Sequence, residues 1–295
     1  MDKTDFVPMK DAPVFFESNG VWLSEKEISA RRRTGVINGK KIESELNFER
    51  QKGIAGLSIK KDLIIDYIKK IKSLICPLTY KDVKLVVEKY DAVMLKPSKN
   101  AMRGNRNFTG KIEDEIKGKL AELGFARYVE KKIGLTLKID FDLITDPSRK
   151  RDNGDFVKCV VKGAEKDIPN DFKISLKSTA GNLLAVPEVE TEWEGDWFVL
   201  VKLHINQRFL YYTIKAVFDL YKLDMNETIA LLEIRGFVSK KDFVAGFKGK
   251  NLEGQFKMDN DFSRDNFIMV PKQLNQDPES LFNFLKAIKS KVENS

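Results

Sequence analysis

The chain reads as an α/β protein with a mixed central β-sheet flanked by helices, preceded by a loop-rich and helical N-terminal region. Three observations lead there. An amphipathic helix is followed by a run of strand candidates and then by helices again, the order expected of mixed-sheet proteins. The strand candidates alternate apolar and polar residues, whereas the helix candidates repeat at three and four residues. No G-x-G-x-x-G or G-x-x-x-x-G-K-[ST] follows a strand, which argues against a doubly wound nucleotide-binding fold. With 295 residues, 42% hydrophobic and 33% charged, the chain can bury one large core, with or without a smaller appendage.

From Met1 to about Leu57, Pro8, Pro13, Gly20, Gly35, Gly39, Gly53 and Gly56 interrupt short helical candidates, so an arm or loop-rich subdomain is expected. Lys60 to Ile75 places Leu63, Ile64, Ile68, Ile71 and Ile75 on one helical face, and Pro77 should end that helix. A second helix runs from Thr79, as N-cap, to about Tyr90, pairing with the first. Lys96 to Thr109 reads as an exposed linker. Gly110 to Gly124 is helical, with Ile112, Ile116, Leu120 and Leu123 as the buried stripe and Gly124 as the C-cap. Strands are expected at Leu135 to Ile144, Asp155 to Val161, Phe172 to Thr179, Leu183 to Val186 and Trp197 to Ile205. Helices follow at Leu210 to Tyr221, Glu227 to Arg235 and Lys240 to Phe247, the last after Ser239 as N-cap. Asp277-Pro278-Glu279 starts a terminal helix reaching about Val292. This divides the chain into a region 1–100 for DNA contact or dimerisation and a core 101–295.

The 52 Lys and Arg against 44 Asp and Glu leave a formal charge of +8, informative only where it clusters. It clusters at Arg31-Arg32-Arg33, at Lys40-Lys41, between Lys96 and Arg106 (Lys99, Arg103, Arg106), and at Arg149-Lys150-Arg151. All lie in Gly-, Asn-, Ser- or Pro-containing segments, where long cationic side chains reach phosphates and base edges. Cys76 and Cys159 are too few for a disulfide framework, and the first residues lack a signal-peptide core. No run approaches a membrane span. A cytoplasmic protein without a membrane partner is expected.

The chemistry is suggested by three pieces in order. A helix carries Glu113, an acid opens a strand at Asp155, and a lysine closes the next strand at Lys177. Period two puts Phe172, Ile174 and Leu176 on one strand face and Lys173, Ser175 and Lys177 on the other, so one face packs and the other is available for chemistry. Acids, a lysine and flexible basic loops together point to a metal-dependent nuclease. The ordinary readings stand beside this. Glu113 with Lys117 makes a common surface pair, Asp155 follows a turn-like Asn153-Gly154, and lysines on an edge strand block edge pairing. The lone His204 lies in an apolar strand, where a hydrogen-bonded structural role fits best.

These residues give the chain a resemblance to the PD-(D/E)XK nucleases, and among them to type II restriction endonucleases. The resemblance spans about Gly110 to Glu190. Glu113 matches the helical acid, with Glu115 as fallback. Asp155 is similar to the metal-binding aspartate, although no proline precedes it. Ser175-Leu176-Lys177-Ser178-Thr179 resembles the apolar-acid-apolar-Lys strand, but Ser175 stands where the acid belongs. Asp171 with Lys173 offers a substitute acid-x-lysine, and Glu188 or Glu190 a substitute acid. Lys177 fits better than Lys173 because of its Lys-Ser-Thr ending. The resemblance implies a restriction-endonuclease-like fold, with Asp155, Glu113, the Leu176 carbonyl and Glu188 as candidate metal ligands. Carboxylates and carbonyls without a His/Cys cluster favour Mg²⁺. It further implies sequence-specific cleavage of double-stranded DNA by a homodimer. A structure-directed repair nuclease of the same fold, or a non-catalytic DNA-binding protein with a decayed metal site, are the alternatives.

Overall fold

The N-terminal residues, expected as an arm, fold around an apolar centre of their own. The computed structural model describes residues 5–37, 40–51, 56–94, 108–139, 155–156, 158–178, 183–188, 191, 195–205, 224–249 and 266–294. Strand β1 (Phe6–Pro8) precedes helices α1 (Ala12–Ser18) and α2 (Glu25–Arg32). A ribbon of β2 (Gly35–Ile37) and β3 (Lys40–Ile42), strands β4 (Glu49–Arg50) and β5 (Leu57–Lys60), and helix α3 (Lys61–Ser73) follow. Strands β1, β5 and β4 form a small antiparallel sheet. Phe16, Ile28, Leu46, Phe48, Ile59, Ile64, Ile68 and Ile71 meet in one buried cluster, and burying each such side chain contributes about 1.5–3 kcal/mol. The turns rich in Gly and Pro connect these short elements, which is why the region reads as irregular. Helix α2 begins with a capping box in which Ser24 and Glu27 satisfy each other's backbone N–H groups.

The remainder is a mixed α/β unit. Strand β6 (Ile75–Thr79) and helices α4 (Tyr80–Met94) and α5 (Phe108–Ile133) precede β7 (Thr136–Leu137), β8 (Lys158–Val161) and β9 (Ala164–Asp167). Then come β10 (Ile174–Ser178), β11 (Leu184–Pro187), β12 (Trp197–Ile205), β13 (Thr228–Ser239), α6 (Lys240–Val244), β14 (Phe247–Gly249), β15 (Asn266–Met269) and α7 (Pro278–Asn294). The central sheet has the order β10-β12-β13-β6, with β10 parallel to β12 and the other pairs antiparallel. Its first face packs Val199, Val201, Leu232 and Ile234 against Val83 and Val86 of α4, Phe125 and Val129 of α5, and Leu285 and Ile288 of α7. On the second face Phe198, Leu200 and Val238 meet Leu184, Val186, Phe243 and Met269. Both faces are covered, so the central strands are nearly continuous apolar runs.

Several expectations are corrected. Glu227 to Arg235 is not a helix, because Thr228–Ser239 is the long central strand β13, buried on both faces. Helix α3 ends at Ser73, before Pro77, and Ile75–Thr79 form an edge strand in which Pro77 is tolerated. Strand β6 therefore separates α3 from α4, and no helix pair forms. Residues 74–87 contribute Leu74, Cys76, Leu78, Val83 and Val86 to the same core as the sheet, so that core begins well before residue 100. Gly124 is interior to α5, which runs on to Ile133. A Cβ there would lie 3.0 Å from Cδ2 of Leu232, so the glycine permits close packing of helix on strand. The strand expected at Leu135 to Ile144 is limited to Thr136–Leu137 among the described residues. Expected features at 95–107, 140–154 and 206–223 lie outside the described residues.

β12, the α4 start at Thr79 and the α7 start at Asp277 are as read. The Asp82 carboxylate accepts from Thr79 N and Oγ1, and Asp277 accepts from Ser280 N at 2.8 Å.

Where β13 passes β12, Leu200 pairs with Gly236 and Val201 with Ile234, so Arg235 is the extra residue of a bulge. Gly236 has φ +144°, and a Cβ there would fall 2.6 Å from Cβ of Leu274. Gly236→Ala is expected to destabilise the fold by at least about 2 kcal/mol, through backbone strain and overpacking together. Urea unfolding with an unchanged midpoint would refute this.

Candidate active site and the buried charge network

Asp155 stands at the open edge of β10. Phe156, fully buried, packs 5.5 Å from Phe125 of α5, ring centre to ring centre, and this contact fixes the segment beside the sheet. Asp155 N and Phe156 N both donate to the carbonyl of Ile174, at 2.8 and 3.1 Å. Strand parity then turns the N–H and C=O of Leu176 toward the same edge. The Leu176 N–H donates to Oδ2 of Asp155 at 2.6 Å. A carboxylate is thereby held beside the residue preceding Lys177, which is half-buried on the edge strand. Helix α5, the helix carrying Glu113, packs against β10 through its later turns. Asp155, Leu176 and Lys177 are brought together; the side chain of Glu113 lies outside the described residues.

The other candidates disperse. Ser175 is fully buried, and its Oγ accepts the N–H of Gly195 at 2.8 Å. The second face of β10 is thus covered at this point, and Ser175 is a packing residue there, contrary to its reading as part of an open catalytic face. Asp171 lies in an exposed turn before β10, and its carbonyl accepts from Nε1 of Trp197 at 3.0 Å. The Lys173 carbonyl accepts from Asp196 N and Trp197 N, which ties the start of β10 to β12. Glu188 is ion-paired with Lys248 at 2.6 Å. Among the described residues no three His, Cys, Asp or Glu side chains converge on one point. Lys99, Arg103, Arg106, Arg149 and Arg151 lie outside the described residues. Arg33 is exposed, Arg32 is half-buried, and Arg31 is 2% exposed, which removes Arg31 from any DNA surface.

Arg31 instead joins a buried network between the N-terminal unit and the second face of the central sheet. Its guanidinium donates to both oxygens of Glu233, at 3.0 and 2.6 Å, and to the Tyr67 hydroxyl at 2.7 Å. Tyr67 donates to Glu45 at 2.6 Å, and Arg235 bridges Glu45 at 2.9 Å and Glu233 at 3.1 Å. His204 lies between two carboxylates, Nε2 at 2.7 Å from Glu233 and Nδ1 at 3.0 Å from Glu27. Lys202 reaches the same Glu27 oxygen at 2.9 Å. Acceptors on both sides make His204 a double donor, hence an imidazolium. Burial works against that charge, but the bonds to Glu233 and Glu27 outweigh it and hold the pKa above its ordinary value. Burial likewise opposes ionisation of Glu233 and Glu27, yet Arg31 and Arg235, and His204 and Lys202, keep both carboxyls well below the usual range.

His204 was legible as a hydrogen-bonded structural histidine. Its partners were missed, although a signal existed. Lys202 and His204 sit two residues apart on one strand, and Glu233 and Arg235 two apart on the next, each inside an apolar run. Polar residues at period two in two strands predict a shared polar face. Glu27, Glu45 and Tyr67 carry no such mark. No family model, curated protein or solved structure matches the chain.

Two outcomes are expected of the network. Arg31→Ala leaves Glu233 short of its main partner, and a loss of about 3–5 kcal/mol is expected in denaturant titration. A loss below about 1 kcal/mol would show that the pair contributes little. The pH dependence has a defined sign. The His204 contribution is complete below its ordinary value of 6.5 and is lost as pH rises through its raised folded value. The Glu27 and Glu233 contributions are complete above 4.5 and are lost as pH falls through their depressed values. The melting temperature should therefore fall on the alkaline side of neutrality, and His204→Gln should flatten that limb. Identical alkaline limbs in both proteins would refute the assignment.

Proposed function

We propose that this protein is a Mg²⁺-dependent endonuclease acting on double-stranded DNA, of the restriction-endonuclease-like fold, with its reaction centre at the Asp155 edge of β10. The observation that carries the reading is the 2.6 Å bond that sets the Asp155 carboxylate against the residue before Lys177. Asp155 and the Leu176 carbonyl, which shares that edge, offer hard oxygen donors of the kind Mg²⁺ prefers, and Glu113 on α5 is the candidate to complete the set. When bound, the cation supplies charge neutralisation at a non-bridging phosphate oxygen. The protein's own contributions are distinct. The Leu176 N–H orients Asp155, and the packing of Phe156 on Phe125 keeps that carboxylate in place. Lys177 brings a positive charge to the strand end, where it can orient the attacking water and offset charge growing on the phosphoryl oxygens. A homodimer would give each strand of a palindromic site its own reaction centre.

A second reading is favoured by one observation. Ser175 is neutral, buried and committed to Gly195, so β10 supplies no second carboxylate beside Lys177. A protein that binds duplex DNA without cleaving it fits that arrangement. Digestion of supercoiled plasmid with Mg²⁺, with Mn²⁺ and with chelator separates the two. Metal-dependent linearisation is expected, reduced at least roughly 100-fold in Asp155→Asn and in Lys177→Ala, with folding retained. Full cleavage by the Asp155 variant would remove the assignment of this edge. Duplex binding with no cleavage under either metal would establish the second reading.

A further inference from the structure

Strands β2 and β3 pair with each other and, among the described residues, with no other strand. A lone two-stranded ribbon is marginal in water, so its support has to come from elsewhere. Its base supplies that support. Ile42 is 5% exposed, packed in one cluster with Ile268 and Val270 around β15. The two arms of the stem are clamped where the Arg31 carbonyl accepts Glu45 N at 2.8 Å and Ser44 Oγ at 3.4 Å. Arg31 and Glu45 are also anchored by their side chains in the buried charge network. Lys272 Nζ donates to the Arg33 carbonyl at 2.6 Å, a third fastening.

The side turned away from that base is cationic. Strand parity places Lys41 opposite Ile42, and the Lys41 side chain is 76% exposed. Its contact with Glu43, 3.9 Å and exposed on both sides, is too loose to neutralise it. Arg33 is exposed at the other arm, and no acid occurs between Arg31 and Lys41. A two-stranded ribbon matches the width of the major groove, about 12 Å, where cationic side chains reach both phosphates and the acceptor edge of guanine.

We propose that the β2–β3 ribbon is the element this protein lays into the major groove of double-stranded DNA. The inference rests on the reading of the protein as one that acts on duplex DNA, and it assigns the contact to a place other than the Asp155 edge. Arg33 and Lys41 flank the groove and hold phosphates, while the clamped stem sets the angle of entry.

The test uses the full chain, chelator in place of metal, and a labelled duplex of roughly three helical turns, read by fluorescence anisotropy across a salt series. Removing two phosphate contacts in Arg33→Ala/Lys41→Ala should lower the salt slope by about 1.8 and weaken binding roughly 30-fold near 0.15 M salt. Arg33→Lys/Lys41→Arg should restore it, and the melting temperature of both variants should match wild type because both side chains face solvent. A duplex with bulky groups at pyrimidine C5, which fill the major groove, should bind wild type as poorly as the double alanine variant binds plain duplex. Unchanged affinity in the alanine variant would overturn the ribbon alone, leaving duplex recognition intact. Equal wild-type affinity for plain and C5-filled duplex, or for single strands, would overturn the groove assignment. Failure of wild type to bind any duplex would overturn this inference together with the proposed function.

Discussion

A two-pronged ion pair between Arg31 of α2 and Glu233 of β13, shut away from water, joins the N-terminal unit to the central sheet. Taking each charge out of water costs several kcal/mol, and only complete partnering offsets it. The partners are supplied from six places in the chain: Glu27, Glu45, Tyr67, Lys202, His204 and Arg235. Apolar residues of equal size would hold the two units together at least as tightly. What the charges add is register, since each fork and ring fits one position of α2 over the sheet and leaves an unpaired ion at any other. The bulge at Arg235 belongs to the same requirement, because the extra residue allows β13 to place Glu233 and Arg235 on the network while Gly236 turns the strand back onto β12.

The helical parts of the fold were the most legible from sequence. Helix α3 announces itself through Ile64, Ile68 and Ile71, and α4 and α7 through the caps at Thr79 and Asp277. Strand β12 is visible in full. Strand β13 was not, because Ile229-Ala230-Leu231-Leu232 is apolar on both faces and a short continuous apolar run carries no period. Strand β6 was hidden by Pro77, which signals a break in a central strand but is accommodated at an edge. Gly124 looked like a helix end because its real constraint, the side chain of Leu232, lies more than a hundred residues away in sequence.

The candidate site was legible to the extent that it is local. Asp155 and Lys177 can be named from strand patterns, and the structure sets them at one strand edge. The fate of Ser175 could not be read, since it depends on Gly195 and on a second layer of packing over β10 that strand periodicity alone does not reveal. Charge clusters were ambiguous for a similar reason. Arg31, Arg32 and Arg33 are adjacent in sequence, yet the turn of α2 sends the first inward to Glu233 while the third remains in solvent.

Helix α3 ends at Ser73 and β6 begins at Ile75, so a single residue, Leu74, separates the N-terminal unit from the sheet it docks on. Nothing of that length can serve as a hinge. The N-terminal unit cannot reach, swing or search, and whatever it displays is offered at one fixed inclination to the strand edge that bears Asp155. Any accommodation between the two surfaces must be made by bending or rolling the molecule that meets them both.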